Sequence, residues 1–291
     1  MNIAERVAIY RVLYGDDFIQ ESIRSILPHV DQVYVVKAEK PWGNTDGVSY
    51  KGQWVSWPEK FDDTRDKVLA LGEPRVEIID DSWPTPKGQL THIVNDLVLP
   101  RIKPLDVVFI EPDHVFSEEQ AKRAFDAWDN STFSQATTRQ IEHWKTPLFQ
   151  VPERPNRTSV VFHHLMGQPM GETGFNGASE GIARLPAYVN NLGFCISEKN
   201  MYWKHLTAMA FASFIGDSPP NERWYEEKWL SWDPVLNNRN LEISLGYEWK
   251  NYSILTKISN ITNTLNYTVH ENYSVNPIAP RQCMAILKYK F

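Results

Sequence analysis

Between residues 7 and 110 the chain alternates runs of strand-forming residues with segments of helical periodicity, and this alternation admits few architectures. The runs are Val7-Ala8-Ile9-Tyr10-Arg11-Val12, Gln32-Val33-Tyr34-Val35-Val36, Val76-Glu77-Ile78-Ile79 and Asp106-Val107-Val108-Phe109-Ile110. Between the first two, Phe18, Ile19, Ile23, Ile26 and Leu27 share one helical face. Asp16 or Asp17 can cap that helix, and Pro28 follows its last turn. Residues 62–71 and 90–99 also have helical character, the latter stopped by Pro100, whereas the stretch before residue 62 is turn-rich and irregular. Strand–helix–strand order with short connections predicts an α/β fold, a mainly parallel sheet with helices on both faces. The run ending at Ile110 is the most apolar, which predicts a central strand buried on both sides.

The second half is less regular. Strands are expected over Ser159–Leu165 and Val189–Phe194, and a helix over Ser197–Phe214. Beyond Pro219-Pro220 the chain is rich in Trp and Asn with no strong periodicity. Residues 1–214 are therefore expected to form the main domain and residues 215–291 an irregular appendage packed on it. Within that appendage positions 225, 228, 229 and 232 share helical spacing, which predicts packing for the Trp224–Trp232 run. Internal repeats are absent, which excludes solenoids and propellers.

Composition excludes several classes. A formal charge of −6 over 291 residues lacks the basic stripe of a nucleic-acid binder. The two cysteines, Cys195 and Cys283, can build neither a disulfide framework nor a CxxC zinc site. With no apolar signal-like segment after Met1 and no apolar run of membrane-spanning length, the expectation is a cytoplasmic protein without a membrane span. Aromatic residues make up 12% of the chain, eleven of them Trp. Such rings fill cores, and they also stack on the C–H faces of pyranose sugars.

The strongest local signal is the end of the fourth run, Ile110-Glu111-Pro112-Asp113-His114-Val115-Phe116-Ser117, where a buried strand breaks into an acid–x–acid pair before a helix opening at Ser117-Glu118-Glu119. Ligands of open α/β sheets bind beyond the carboxyl ends of strands. Two carboxylates there can hold a hard divalent cation that leaves positions for phosphate oxygens. Read more plainly, Glu111 and Asp113 are polar residues that close a strand. The adjacent His163-His164 point to opposite faces of a strand and do not form a joint metal site; one is expected to be buried and the other exposed.

The segment Asp106–Ser117 resembles the DxD region of GT-A glycosyltransferases, in particular family-two-like enzymes. The opening through Ser25-Ile26-Leu27 and Val30–Val36 is similar as well, as is Asn191-Leu192-Gly193-Phe194-Cys195-Ile196-Ser197 followed by Met201-Tyr202-Trp203-Lys204-His205. The chain departs from the pattern at Glu111, Pro112, His114 and Asn191. The resemblance implies a GT-A (Rossmann-like) fold, a nucleotide-sugar donor, a carbohydrate or other hydroxyl acceptor, and an inverting transfer assisted by Mn2+ or Mg2+. Asp113, Glu111 and Asn191 become the implied metal ligands. Donor contacts fall on Arg11, Asp16, Lys37, Glu39, Asp80, Glu111 and Lys204, each of which also reads as a solvated charge or a helix cap. The transfer needs a base for the acceptor hydroxyl, and the Gly-rich segment 170–180 offers Glu172 and Glu180. Two other readings stay open: a nucleotidyltransferase, although no Gly-rich basic phosphate loop is present near the start, and a degenerate carbohydrate-binding or structural protein.

Overall fold

The computed structural model of the protein describes residues 6–12, 17–38, 40, 46–58, 63–81, 89–151, 158–170, 183–215, 223–230, 243–259, 267–269, 275–277 and 281–290. The chain divides into two compact units, Met1–Tyr225 and Glu226–Phe291.

In chain order the first unit comprises β1 (Arg6–Val12), α1 (Ile19–Ile26), β2 (Gln32–Ala38), β3 (Gly47–Tyr50), β4 (Gln53–Ser56), α2 (Thr64–Leu69), β5 (Val76–Asp81) and α3 (Gln89–His92). It continues with β6 (Asp106–Ile110), β7 (His114–Val115), α4 (Glu118–Asp129), β8 (Gln135–Trp144), β9 (Thr146–Gln150), β10 (Thr158–His164), β11 (Ala183–Phe194) and α5 (Glu198–Ile215). Nine strands form one sheet in the order β5-β2-β1-β6-β10-β8-β11-β7, with β9 on β8. β5, β2, β1 and β6 are mutually parallel. β10 runs against both β6 and β8, β11 is parallel to β8, and β7 is antiparallel to β11. The sheet is thus a mixed, helix-flanked sheet of Rossmann/GT-A-like architecture, parallel through its first four strands.

Strand alternation sorts the core into two layers. Ala8, Tyr10 and Val12 of β1 and Val108 and Ile110 of β6 face α1 and α4, where they meet Ile19, Ile23, Ile26, Phe125 and Trp128. Val7, Ile9, Val107 and Phe109 face the opposite layer, built on Ile93, Val94 and Val98. The helix expected over 90–99 is present, but α3 gives way at once to a π-helical stretch, Ile93–Val98. The turn-rich region contains a hairpin, β3–β4, closed by Lys51-Gly52 with φ of 51° and 75°. Left-handed backbone at both central positions matches the twist of a two-residue hairpin, and Val48 and Tyr50 of this hairpin pack on Leu206, Met209 and Ala210 of α5.

Asp17 does not cap α1, whose N-terminus has no side-chain cap. Its carboxylate instead accepts hydrogen bonds from the Ser197 backbone N–H and from Asn200 Nδ2 (2.9 Å) at the start of α5. His163 and His164 are both half-buried, so neither is the exposed member of a pair. They lie where β10 meets the start of β6: His164 bonds Asp106 and stacks on Trp128 with ring centres 4.1 Å apart.

The second unit is more regular than its sequence suggests. β12 (Ile243–Trp249), β13 (Tyr252–Ser259) and β16 (Gln282–Tyr289) form an antiparallel sheet, with β14 (Tyr267–Val269) and β15 (Val275–Pro277) as a separate pair. The register aligns Leu245, Tyr247 and Trp249 with Thr256, Ile254 and Tyr252, and these with Ala285, Leu287 and Tyr289, giving the sheet one uncharged face. Tyr225–Leu230 form a π-helical stretch with Tyr225 and Trp229 buried; Trp232 lies outside the described residues. Among the described residues no helix is long and apolar enough to cross a membrane.

Trp128 is fully buried, touches Phe162 and His164, and donates its indole N–H to Asp106 Oδ2 at 3.0 Å. Trp128→Ala should lower unfolding free energy by about 3–5 kcal/mol in urea titration. A loss below about 1 kcal/mol would contradict this placement of the core.

Candidate functional site

The parallel strands set up a ligand crevice by topology alone. From β1 the chain moves outward to β2 and β5, then returns through β6 to the other side of β1. The strand order reverses between β1 and β6, and ligands of open α/β sheets bind at such a switch point, beyond the carboxyl ends. Arg11 stands near the end of β1 and Glu111 just past β6. They form an ion pair at 2.6 Å across this crevice, with Glu111 the more exposed partner.

After β6 the chain turns sharply, His114 N–H donating to Glu111 O at 3.0 Å. The next two residues then pair with β11: His114 opposite Asn191 and Val115 opposite Asn190. Asn190 Nδ2 donates to Val115 O (3.1 Å), and Asn190 Oδ1 accepts from His143 Nε2 at 3.0 Å. Leu192 N–H donates to Asp113 O at 2.8 Å. The turn is held from the helix layer too, because Ser22 of α1 donates to the His114 carbonyl while its hydroxyl meets the buried Tyr10 hydroxyl at 3.1 Å. Burial raises the Tyr10 pKa, which keeps that hydroxyl neutral.

These constraints press the Asp113 carboxylate onto Gly193. A Cβ at Gly193 would stand 2.2 Å from Asp113 Oδ2, 2.8 Å from Lys204 Nζ and 3.0 Å from Asn191 Oδ1. Only glycine permits this approach, which explains a glycine inside the strand. Lys204, in the second turn of α5, donates to Gly193 O at 3.0 Å and to Asp113 Oδ2 at 3.3 Å. Asn191 Oδ1 accepts from Gly193 N–H at 2.9 Å. Asp113 is 8% exposed. Burial alone would raise its pKa, but the Lys204 charge, the His114 charge and the Lys204 hydrogen bond outweigh burial and hold the carboxyl below its ordinary value. His114 approaches Asp113 Oδ1 at 3.7 Å and also contacts the Ser159 hydroxyl at 3.1 Å. Burial and the nearby Asp113 charge push the Cys195 thiol up to about 12, which makes it an unreactive filler. Phe194 walls this cluster, its ring centre 5.7 Å from Lys204 Nζ; Trp144 stacks on it at 5.1 Å and Trp224 tilts against it at 6.2 Å.

The residues singled out from sequence therefore fall into separate groups. Asp113, Asn191 and Lys204 meet at Gly193, and Arg11 meets Glu111 at the neighbouring switch point. Lys37 and Asp80 are register partners on β2 and β5; Lys37 donates to Ala38 O at 3.1 Å and Asp80 pairs with Arg65. Asp16, Glu39, Glu172 and Glu180 lie outside the described residues. Sequence reasoning missed Ser159, for which it holds no signal, and the contact role of Gly193, whose signal is a glycine between Leu192 and Phe194 inside a strand.

The donor set suits a hard cation of the magnesium type. Among the described residues no three His, Cys, Asp or Glu side chains gather as a metal cage. Magnesium rarely needs one, since it binds through one or two carboxylates plus substrate phosphates and water. Asp113 Oδ2 and Asn191 Oδ1, converging on one face of Gly193, supply two oxygen donors of that kind.

No protein-family model matches the chain, and no characterised protein matches it in sequence. Among solved structures it is similar to glucosyl-3-phosphoglycerate synthase from Mycobacterium tuberculosis in complex with Mn2+, uridine diphosphate and phosphoglyceric acid, with 11% identity over 84% of this chain and 83% of that one and a TM-score of 0.40. Against a UDP-glucose complex of the same enzyme the match spans 55% of this chain and 56% of that one, with a TM-score of 0.35. It is also similar to the 1–349 portion of S. aureus TarS (12% identity, 81% of this chain, 74% of that one, TM-score 0.36). A third likeness is to 4-diphosphocytidyl-2C-methyl-D-erythritol synthase (12% identity, 55% and 75%, TM-score 0.34). At these scores no residue role passes from those proteins to this chain; the architecture rests on the strand order and the helix layers described above.

Breaking the Asp113–Lys204 pair from the lysine side leaves a buried carboxylate alone. Lys204→Met should cost roughly 1–3 kcal/mol at pH 7. Asp113 has a depressed pKa in the folded wild type, so the pair stabilises above the ordinary carboxyl value of 3.8 and that contribution fades as pH falls below it. Urea titrations should therefore show the wild-type advantage at pH 7 shrinking progressively once the pH falls below 3.8. An advantage independent of pH would contradict the pairing.

Proposed function

We propose that the protein is a glycosyltransferase that moves a hexosyl group from a nucleoside-diphosphate sugar to a hydroxyl of a carbohydrate or similar acceptor, with inversion. The observation that carries this reading is the cluster of Asp113, Asn191 and Lys204 on Gly193, beside the β1/β6 switch point closed by Arg11 and Glu111. A strand-end crevice with a carboxylate, an amide oxygen and an ammonium suits a ligand that brings a diphosphate. Asp113, with Asn191 and Glu111, are the groups that would hold Mn2+ or Mg2+, which supplies charge neutralisation for a departing nucleoside diphosphate.

The remaining roles belong to the chain's own groups. Lys204 gives the diphosphate a positive partner in a half-buried setting, where such charges act more strongly than in water. Arg11 and Glu111 line the switch point and orient the nucleotide portion, while Lys37 and Asp80 at the neighbouring strand ends, together with Asp16 and Glu39, are further donor contacts. The aromatic wall of Phe194, Trp144 and Trp224 offers apolar ring faces of the sort pyranoses stack on. In the transfer the acceptor oxygen bonds to the anomeric carbon, the bond to the diphosphate breaks, and the acceptor proton passes to a carboxylate; Glu172 and Glu180 are the candidates for that base. We place the protein in a reducing cytoplasm, consistent with its two free thiols.

The test is thermal unfolding of wild type and Asp113→Ala with UDP, GDP, CDP and dTDP, each with and without Mn2+. A ligand at a hundredfold excess over Kd adds about 2.7 kcal/mol, which corresponds to a Tm rise of roughly 5–10 °C. One nucleotide should give such a rise in wild type with Mn2+, and Asp113→Ala should abolish it. No response to any nucleotide would overturn the transferase reading.

A further inference from the structure

The Asp113 carboxylate has two claimants. Its Oδ2 is 3.3 Å from Lys204 Nζ, and the ammonium is pinned from another side by Gly193 O at 3.0 Å. The oxygens suited to a divalent cation, Asp113 Oδ2 and Asn191 Oδ1, converge on the same face of Gly193 as that ammonium: all three atoms lie within 3.0 Å of one point, the position of an added Cβ. A hard cation held by both Asp113 Oδ2 and Asn191 Oδ1 on that face would compete with the ammonium for the same carboxylate oxygen. Unit charges about 4 Å apart already repel by several kT in a partly buried setting, and a divalent ion doubles that repulsion. The surroundings do not relieve it. The other carboxylate oxygen faces the His114 ring at 3.7 Å, and Arg11 is paired with Glu111.

Building on the transferase reading, we infer that Lys204 is the resting counter-ion of Asp113 and that a divalent cation enters this site only by displacing it. The lysine side chain is long and flexible, and its ammonium also faces the Phe194 ring at 5.7 Å. Released from Asp113, it keeps its place on α5 beside the switch point and meets an incoming diphosphate. One carboxylate thus exchanges an internal monovalent cation for an external divalent one, and the freed charge goes to the donor. The site therefore takes up a bare metal weakly, and metal and nucleotide bind as a pair.

The test is Mn2+ binding to the full chain at pH 7.5 without nucleotide, by titration calorimetry, for wild type, K204M, K204R and K204M/D113N, each checked for folding by circular dichroism. K204M should bind Mn2+ at least about tenfold more tightly than wild type, since the repelling charge is gone; K204R should match wild type; the double variant should lose the gain. K204M binding no more tightly than wild type would overturn the exchange. A second measurement avoids the variants: labelling of wild-type Lys204 by an amine-reactive ester, read by mass spectrometry. Mn2+ alone at saturating concentration should raise the labelling of Lys204 relative to the other lysines. Unchanged labelling with Mn2+ alone would overturn the exchange as well. The nucleotide response of wild type separates the two claims. A nucleotide shift without a K204M gain sinks the exchange alone, and a K204M gain without any nucleotide shift sinks the transferase reading alone.

Discussion

Two residues of ladder pairing, His114 and Val115 against Asn191 and Asn190, fix the relation between the two halves of the sheet at their carboxyl ends. Without that pairing the connection after β6 would be an ordinary solvated loop, and Asp113 an ordinary loop carboxylate. With it, Asp113 is buried against Gly193, its carbonyl accepts from Leu192 N–H, and Lys204 on the following helix is within reach of its carboxylate. Tyr10 and Ser22 brace the same turn from the helix layer beneath. The site is therefore set by strand register. A slip of one residue between β7 and β11 would send Asn191 to the opposite face and separate the oxygens that now converge.

The electrostatics of the site follow from this confinement. A carboxylate buried to this depth is costly unless compensated, and Lys204 compensates it; the depressed pKa of Asp113 is the outcome of that contest. The compensation comes from one neighbouring side chain, which distinguishes it from the Asp106 cluster at the other end of β6. There the carboxylate is bound by Arg6, Trp128 and His164 together, its bonds are spread over three elements, and its work is to tie β1, α4 and β10. The two aspartates begin and follow the same strand, and they differ in how many partners hold them.

Much of the parallel half was legible because β-branched runs buried on both faces leave a signal that needs no distant partner. Val7–Val12, Gln32–Val36, Val76–Ile79 and Asp106–Ile110 all lie in strands of the central sheet. The antiparallel strands were harder. β8 carries Thr, Arg, Gln, Glu and His on a partly covered strand and lacks a continuous apolar run. β12 alternates cleanly over Ile243–Trp249, but β13 breaks the alternation at Ile254-Leu255, and Lys250 with φ of 52° closes their hairpin without the usual Asn-Gly or Asp-Gly mark. At the site, the acid pair was visible as composition at a strand end, while the partners of Asp113 were not. Gly193 and Lys204 lie 80 and 91 positions further on, and only register brings them to Asp113. Asp17 shows the same limit: its sequence position suggests a cap for the adjacent helix, and the fold uses it to hold the start of α5.

The central claim is that the Gly193 cluster at the ends of β6 and β11 is where a nucleoside diphosphate and its metal bind. The most direct measurement is anomalous diffraction at the manganese edge from crystals grown with Mn2+ and the nucleotide that stabilises the protein. Binding at this cluster should give one strong peak within about 2.2 Å of an Asp113 oxygen, with diphosphate density between it and the displaced Lys204 side chain. A nucleotide bound elsewhere, or a manganese peak away from Asp113 with the Asp113–Lys204 contact intact, would contradict it.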